Sequence, residues 1–65
     1  MGNSNNLEML RDEFRNAADI LDELVALDER EKRGEDVSKE CEGIMGRYIM
    51  SMVKIDTLAK NISIC

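Results

Sequence analysis

Two apolar ladders run along this chain at alternating steps of three and four residues, divided by one short charged break. The first is Leu7, Leu10, Phe14, Ala17, Leu21 and Leu24; the second is Val37, Cys41, Ile44, Tyr48, Ser51, Ile55, Leu58 and Ile62. Steps of this kind keep side chains on one stripe of an α-helix. A link as short as the break makes the two helices antiparallel neighbours that hide their stripes against each other. The spacing therefore predicts an all-α fold: an antiparallel helical hairpin of two long helices. Each helix would be ~40 Å long at ~1.5 Å per residue, so the stripes match end to end.

The boundaries follow from local chemistry. Residues 1–5 are small and polar, the composition of a flexible terminus, and Asn5 or Asn6 can cap helix 1 by accepting from a backbone N–H. The hairpin domain then occupies 6–65, with helix 1 over about 7–32, a turn at 33–36 and helix 2 over about 37–63. Bases at Arg30, Lys32 and Arg33 complement the negative end of a helix dipole, and Gly34 can take the left-handed conformation that ends a helix. Asp36 reads as the N-cap of helix 2, with Val37 at its first position. Ala18, Ile20, Val25 and Leu27 flank the first stripe and widen it, which implies contact with more than one neighbour.

Size argues for company. A compact 7.4 kDa monomer would bury ~6,500 Å² on folding. At ~25 cal/mol per Å² of apolar area the gain is ~100 kcal/mol, about what is lost as chain entropy at ~1.5 kcal/mol per residue. Small chains escape this balance with disulfides, metals or partners. This one has two cysteines, no histidine and no Cys-x-x-Cys, so partners are favoured. Helix 2 points the same way. Ile49, Met50, Met52 and Val53 leave its stripe in several directions, and a helix apolar nearly all round must be buried nearly all round. Gly43 and Gly46 weaken the helix unless another backbone packs closely there. The hairpin is expected to assemble into an oligomeric helical bundle through Ile44, Tyr48, Ile49, Met52, Val53 and Ile55.

Charge narrows the partners. The net charge is −5, which argues against nucleic-acid or anionic-membrane binding. Residues 1–36 carry eleven acids and five bases; residues 37–65 carry three acids and four bases. Helix 1 is therefore the acidic surface, and Asp12, Asp19, Asp22 and Glu23 form its candidate partner-binding face. A charged run on a helix is ordinarily its wet side, and imitation of a phosphate backbone is the sharper alternative. With no histidine, a general base would have to be a carboxylate, lysine or tyrosine of shifted pKa. Helix 2 adds only Glu40 and Glu42 near its start to the acids of helix 1, half of what a two-helix magnesium site needs. No enzymatic activity, metal or cofactor is expected.

Arg47, Tyr48 and Lys54 are the polar and ring-bearing groups of helix 2. They could hold a small anionic ligand such as a signalling nucleotide, the ring stacking on a base and Arg47 forking to phosphate. The plainer reading puts Tyr48 in the core and pairs Arg47 and Lys54 with acids of helix 1. The methionines Met45, Met50 and Met52 suit an adaptable protein-binding groove, although core filling is their commoner use. Cys41 reads as a small buried hydrophobe, ~36 Å along a continuous helix from Cys65, too far for an internal disulfide. The start Met-Gly-Asn-Ser-Asn-Asn lacks the serine or threonine of a myristoylation signal, and Cys65 is not placed for prenylation. The default expectation is the cytoplasm.

The run Leu10-Arg-Asp-Glu-Phe14, then Gly-Glu-Asp-Val37 and Ile44-Met-Gly-Arg-Tyr-Ile49, resembles the small two-helix proteins of unknown function found in phages and prophages of Gram-positive bacteria. Small phage proteins often bind and disable a host factor, including restriction, CRISPR and nucleotide-signalling defences. The resemblance thus implies a binding protein that inhibits a host protein in the bacterial cytoplasm.

Overall fold

The computed structural model describes residues 3–62, with side chains from Asn5 to Ile62. Two helices, α1 (Asn3–Lys32) and α2 (Ser38–Lys60), fold back on each other as a hairpin, and no strand occurs among the described residues. The rod measures 51 × 15 × 14 Å between Cα extremes. Among the described residues, no helix is long and apolar enough to cross a membrane.

The turn is built as the break's residues dictate. Gly34 adopts φ +95°, the left-handed conformation. Its N–H donates to the Glu31 carbonyl at 2.9 Å, and the Glu35 N–H donates to the Arg30 carbonyl at 3.1 Å, the paired bonds of a Schellman ending. A hydrophobic contact usually accompanies that motif, but here an ion pair does, from Arg30 Nε to Glu35 Oε1 at 2.9 Å. Arg30 also forks onto Glu40 of α2, at 2.6 and 3.3 Å, so one guanidinium ties both helices to the turn. Glu40 first, then Glu35, raises the Arg30 pKa above its ordinary value.

Several boundaries differ from expectation. α1 starts at Asn3, so Asn5 and Asn6 lie inside the helix; residues 1 and 2 fall outside the described residues. The N-cap of α2 is Val37, whose carbonyl accepts the first helical bond from the Cys41 N–H at 2.8 Å. Asp36 stands one residue earlier than expected. Its Oδ1 accepts from the Ser38 hydroxyl at 2.5 Å and the Ser38 N–H at 3.1 Å, and these two bonds hold its pKa below the ordinary value. The shift lets the apolar Val37 turn inward, where it is buried. α2 ends at Lys60 with Asn61 as its C-cap, and residues 63–65, Cys65 among them, lie outside the described residues.

The seam between the helices shows one agreement and one correction. On α2 it is lined by Val37, Cys41, Ile44, Tyr48, Ser51, Ile55, Leu58 and Ile62, all buried or half-buried, the ladder read from the sequence. On α1 it is lined by Leu10, Glu13, Ala17, Ile20, Leu24 and Leu27. This ladder keeps Leu10, Ala17 and Leu24 but exchanges the rungs between them. Ile20 and Leu27 are buried, whereas Leu7, Phe14 and Leu21 are exposed, Phe14 at 54%. The two phases differ by about 100° of rotation at the exchanged rungs. Packing chooses the phase that puts Ile20 and Leu27 beside α2 and sets Glu13 opposite Ser51.

Candidate functional site

The seam divides the surface of the hairpin into two flanks, and the cross-helix contacts define the first. Ser51 is 2% exposed, the most deeply buried polar side chain, and its hydroxyl donates to Glu13 Oε2 at 2.6 Å. Asn16 Nδ2 donates to the same oxygen at 2.8 Å. The Ser51 bond, then the Asn16 bond, lowers the Glu13 pKa against the opposing pull of partial burial, with nearby Lys54 adding to the effect. Further along, Arg47 Nη2 pairs with Glu23 Oε2. Asn16, Ile20, Gly43, Gly46, Arg47, Met50 and Lys54 border an open groove here, with Glu13 and Ser51 at its floor. No other atoms approach within 4 Å of where a Cβ would stand at Gly43 or Gly46, so neither glycine serves a close approach within the hairpin.

Arg47 and Lys54 share this flank, but Tyr48 does not. It lies about 100° round α2 from Arg47, half-buried on the seam and absent from the groove lining. The three residues proposed to hold an anion therefore do not converge. Arg47 is already committed to Glu23, and Lys54 stands beside Glu13. The plainer reading of these residues describes their geometry better.

Of the acids on α1, Asp19 and Asp22 point outward from its back, while Glu23 and Asp12 lie on the flank with Arg47 and Lys54. Asp12, Asp19, Asp22 and Glu23 are all exposed. Asp12 meets Arg11 at 3.0 Å and Arg15 at 3.9 Å, and Glu23 meets Arg47. Asp19 and Asp22 enter no ion pair among the described residues, so they carry this face's uncompensated charge. Among the described residues, no three cysteine or carboxylate side chains gather as a metal ion would require.

The second flank is apolar. Counting about 100° per residue, Leu7, Phe14, Ala18, Leu21 and Val25 lie on the side of α1 away from Asn16 and Glu23. Met45, Ile49 and Met52 lie on the side of α2 away from Arg47 and Lys54, whereas Val53 stands with Lys54 in a groove that Met9, Asp12 and Glu13 line from α1. The groove and its ion pair fix the first flank, so both apolar sets face the opposite side and form one surface. Leu7, Phe14, Leu21, Val25, Met45 and Ile49 are all exposed on it, and Met52 is half-buried. Of the residues expected to join copies, Ile49 and Met52 lie here, Val53 lies in the groove beside Lys54, and Ile44, Tyr48 and Ile55 are turned toward α1. Met50 is exposed on the polar flank.

Sequence reasoning missed Glu13 and the exposure of Leu7, Phe14 and Leu21 on the apolar flank. A signal for Glu13 was present. Ser51 is a polar rung in a buried ladder, and a buried hydroxyl needs a partner across the seam. No protein-family model, curated protein or solved structure matches the chain.

Proposed function

We propose that the chain is a non-enzymatic, oligomeric binding protein that docks on a partner protein through the acidic back of α1. The observation supporting this is the unequal state of its acids. Asp12 and Glu23 are offset by arginines of the same chain, while Asp19 and Asp22 project from consecutive turns with no cation to satisfy them. Such a pair suits a basic surface on a partner, where opposite potentials speed encounter and fix orientation. The phage-like context makes a host defence protein of the bacterial cytoplasm the first partner to seek.

Charge reversal tests this reading. A tagged chain expressed in a Gram-positive host should retain one host protein through a wash in low salt. The pair Asp19→Lys, Asp22→Lys should lose it, while Asp56→Lys, an acid of α2, should keep it. Equal retention by all three chains would refute the acidic face, and retention by none would refute the binding reading.

A further inference from the structure

We propose that a second copy of this chain covers the apolar flank, forming an antiparallel four-helix bundle whose two-fold axis passes beside Ile49. The proposal rests on the oligomeric reading above and specifies its surface and symmetry. The surface area is the first argument. A compact protein of 7.4 kDa exposes about 4,200 Å², whereas this hairpin exposes 4964 Å². The excess is close to the ~800 Å² that each partner buries in a standard interface.

The flank's own symmetry selects the occupant. A two-fold interface requires that if one residue meets a second, the second meets the first. On α2 the flank runs Met45, Ile49, Met52, with Met45 and Met52 evenly spaced about the level of Tyr48 and Ile49. On α1 it runs Leu7, Phe14, Ala18, Val25, evenly spaced about position 16. These two centres lie at one level of the rod, because Asn16 and Ile20 face Gly46 and Met50 across the polar groove. One axis crossing the rod at that level therefore serves both helices. It lays α1 antiparallel on α1 of the second copy, and α2 on α2.

The contacts that result are complementary in size. Phe14 meets the small Ala18 of the second copy, and Leu7 meets Val25. Met45 meets Met52, and the two Ile49 side chains meet beside the axis. Leu21, the flank residue without an apolar counterpart, falls against the aliphatic stem of Arg11. The back of α1, with Asp19, stays outside and available to a partner. Each copy carries a net charge of −5, so association should tighten as salt rises.

Cysteine cross-linking tests the axis directly. In a Cys41→Ala, Cys65→Ser background, Ile49→Cys should form a covalent dimer under mild oxidation, at least fivefold faster than Met50→Cys. A rate no greater than that of Met50→Cys would overturn the axis, as a side-by-side or parallel arrangement predicts. Ile49→Glu should halve the mass seen in sedimentation, and Met50→Glu should leave it unchanged; the reverse pattern would overturn the face while leaving an oligomer standing. An unmodified chain that sediments at 7.4 kDa would overturn both the oligomer and the axis.

Discussion

The two flanks of the hairpin are made from the same pair of helices and face opposite demands. One is bridged by its own chain: Glu13 accepts from both Ser51 and Asn16, and Glu23 meets Arg47. The other has no polar contact between helices among the described residues and leaves Phe14, Leu21 and Ile49 about half exposed or more. The polar flank gains little net energy from each bond, but it fixes how α1 is rotated and slid against α2. The apolar flank does the reverse. Its energy is unrealised in the single chain, and the rotation set by the polar flank decides which residues it offers. The difference teaches that specificity and association strength are separated on this molecule, one to each side of the seam.

Neighbouring residues on α1 give the largest test of this division. Ile20 is 3% exposed on the seam, and Leu21 is 46% exposed on the apolar flank. Ile20→Asp should abolish folding, since a buried unpaired charge costs several kcal/mol. Leu21→Asp should retain the hairpin's helicity and weaken self-association. Circular dichroism with sedimentation reads both. Equal loss of helicity in the two variants would mean that the seam has the other phase. Ile20→Ala is the milder form, at about 2–4 kcal/mol in urea unfolding.

Ser51→Ala should cost about 1 kcal/mol, because it leaves the half-buried Glu13 short of a donor. In a double-mutant cycle with Glu13→Ala the two losses should overlap by a similar amount, and strict additivity would show that the contact stabilises nothing. Gly43→Ala and Gly46→Ala should each stabilise by about 0.5–1 kcal/mol, since both face open space on the polar flank. A loss there would place a neighbouring molecule on that flank instead.

Acid gives the smallest effect. The folded pKa values of Glu13 and Asp36 are lowered by hydrogen bonds, so their contribution is complete above the ordinary carboxylate range. It is lost as pH falls below the ordinary carboxylate range and through the folded values. The melting temperature should therefore drop in that window. In Glu13→Gln the drop should be shallower, and an unchanged profile would remove Glu13 from the account.

Much of this architecture was legible in the residues. The ladder of α2 is unambiguous because glycines, Arg47 and Lys54 bar the neighbouring phase on one side, and the observed seam follows it rung for rung. α1 offered two phases that share Leu10, Ala17 and Leu24. Phe14 and Leu21 favour one by hydrophobicity, while Ile20 and Leu27 favour the other. Glu13 counts against the phase that forms unless its partner Ser51 is known. That partner is on the other helix, so local periodicity could not choose. The acidic face was legible by composition, but Asp19 and Asp22 separate from Asp12 and Glu23 only once the arginines are placed. The three candidate anion contacts do not converge within one chain for a rotational reason, since adjacent residues such as Arg47 and Tyr48 point about 100° apart.

The central claim is that this hairpin is half of a structure whose apolar flank is closed by a second copy. Sedimentation equilibrium of the unmodified chain, over micromolar concentrations and at two salt levels, tests it most directly. The account predicts a mass of twice 7.4 kDa, held to lower concentration at higher salt. A fully helical species of 7.4 kDa throughout that range would contradict it.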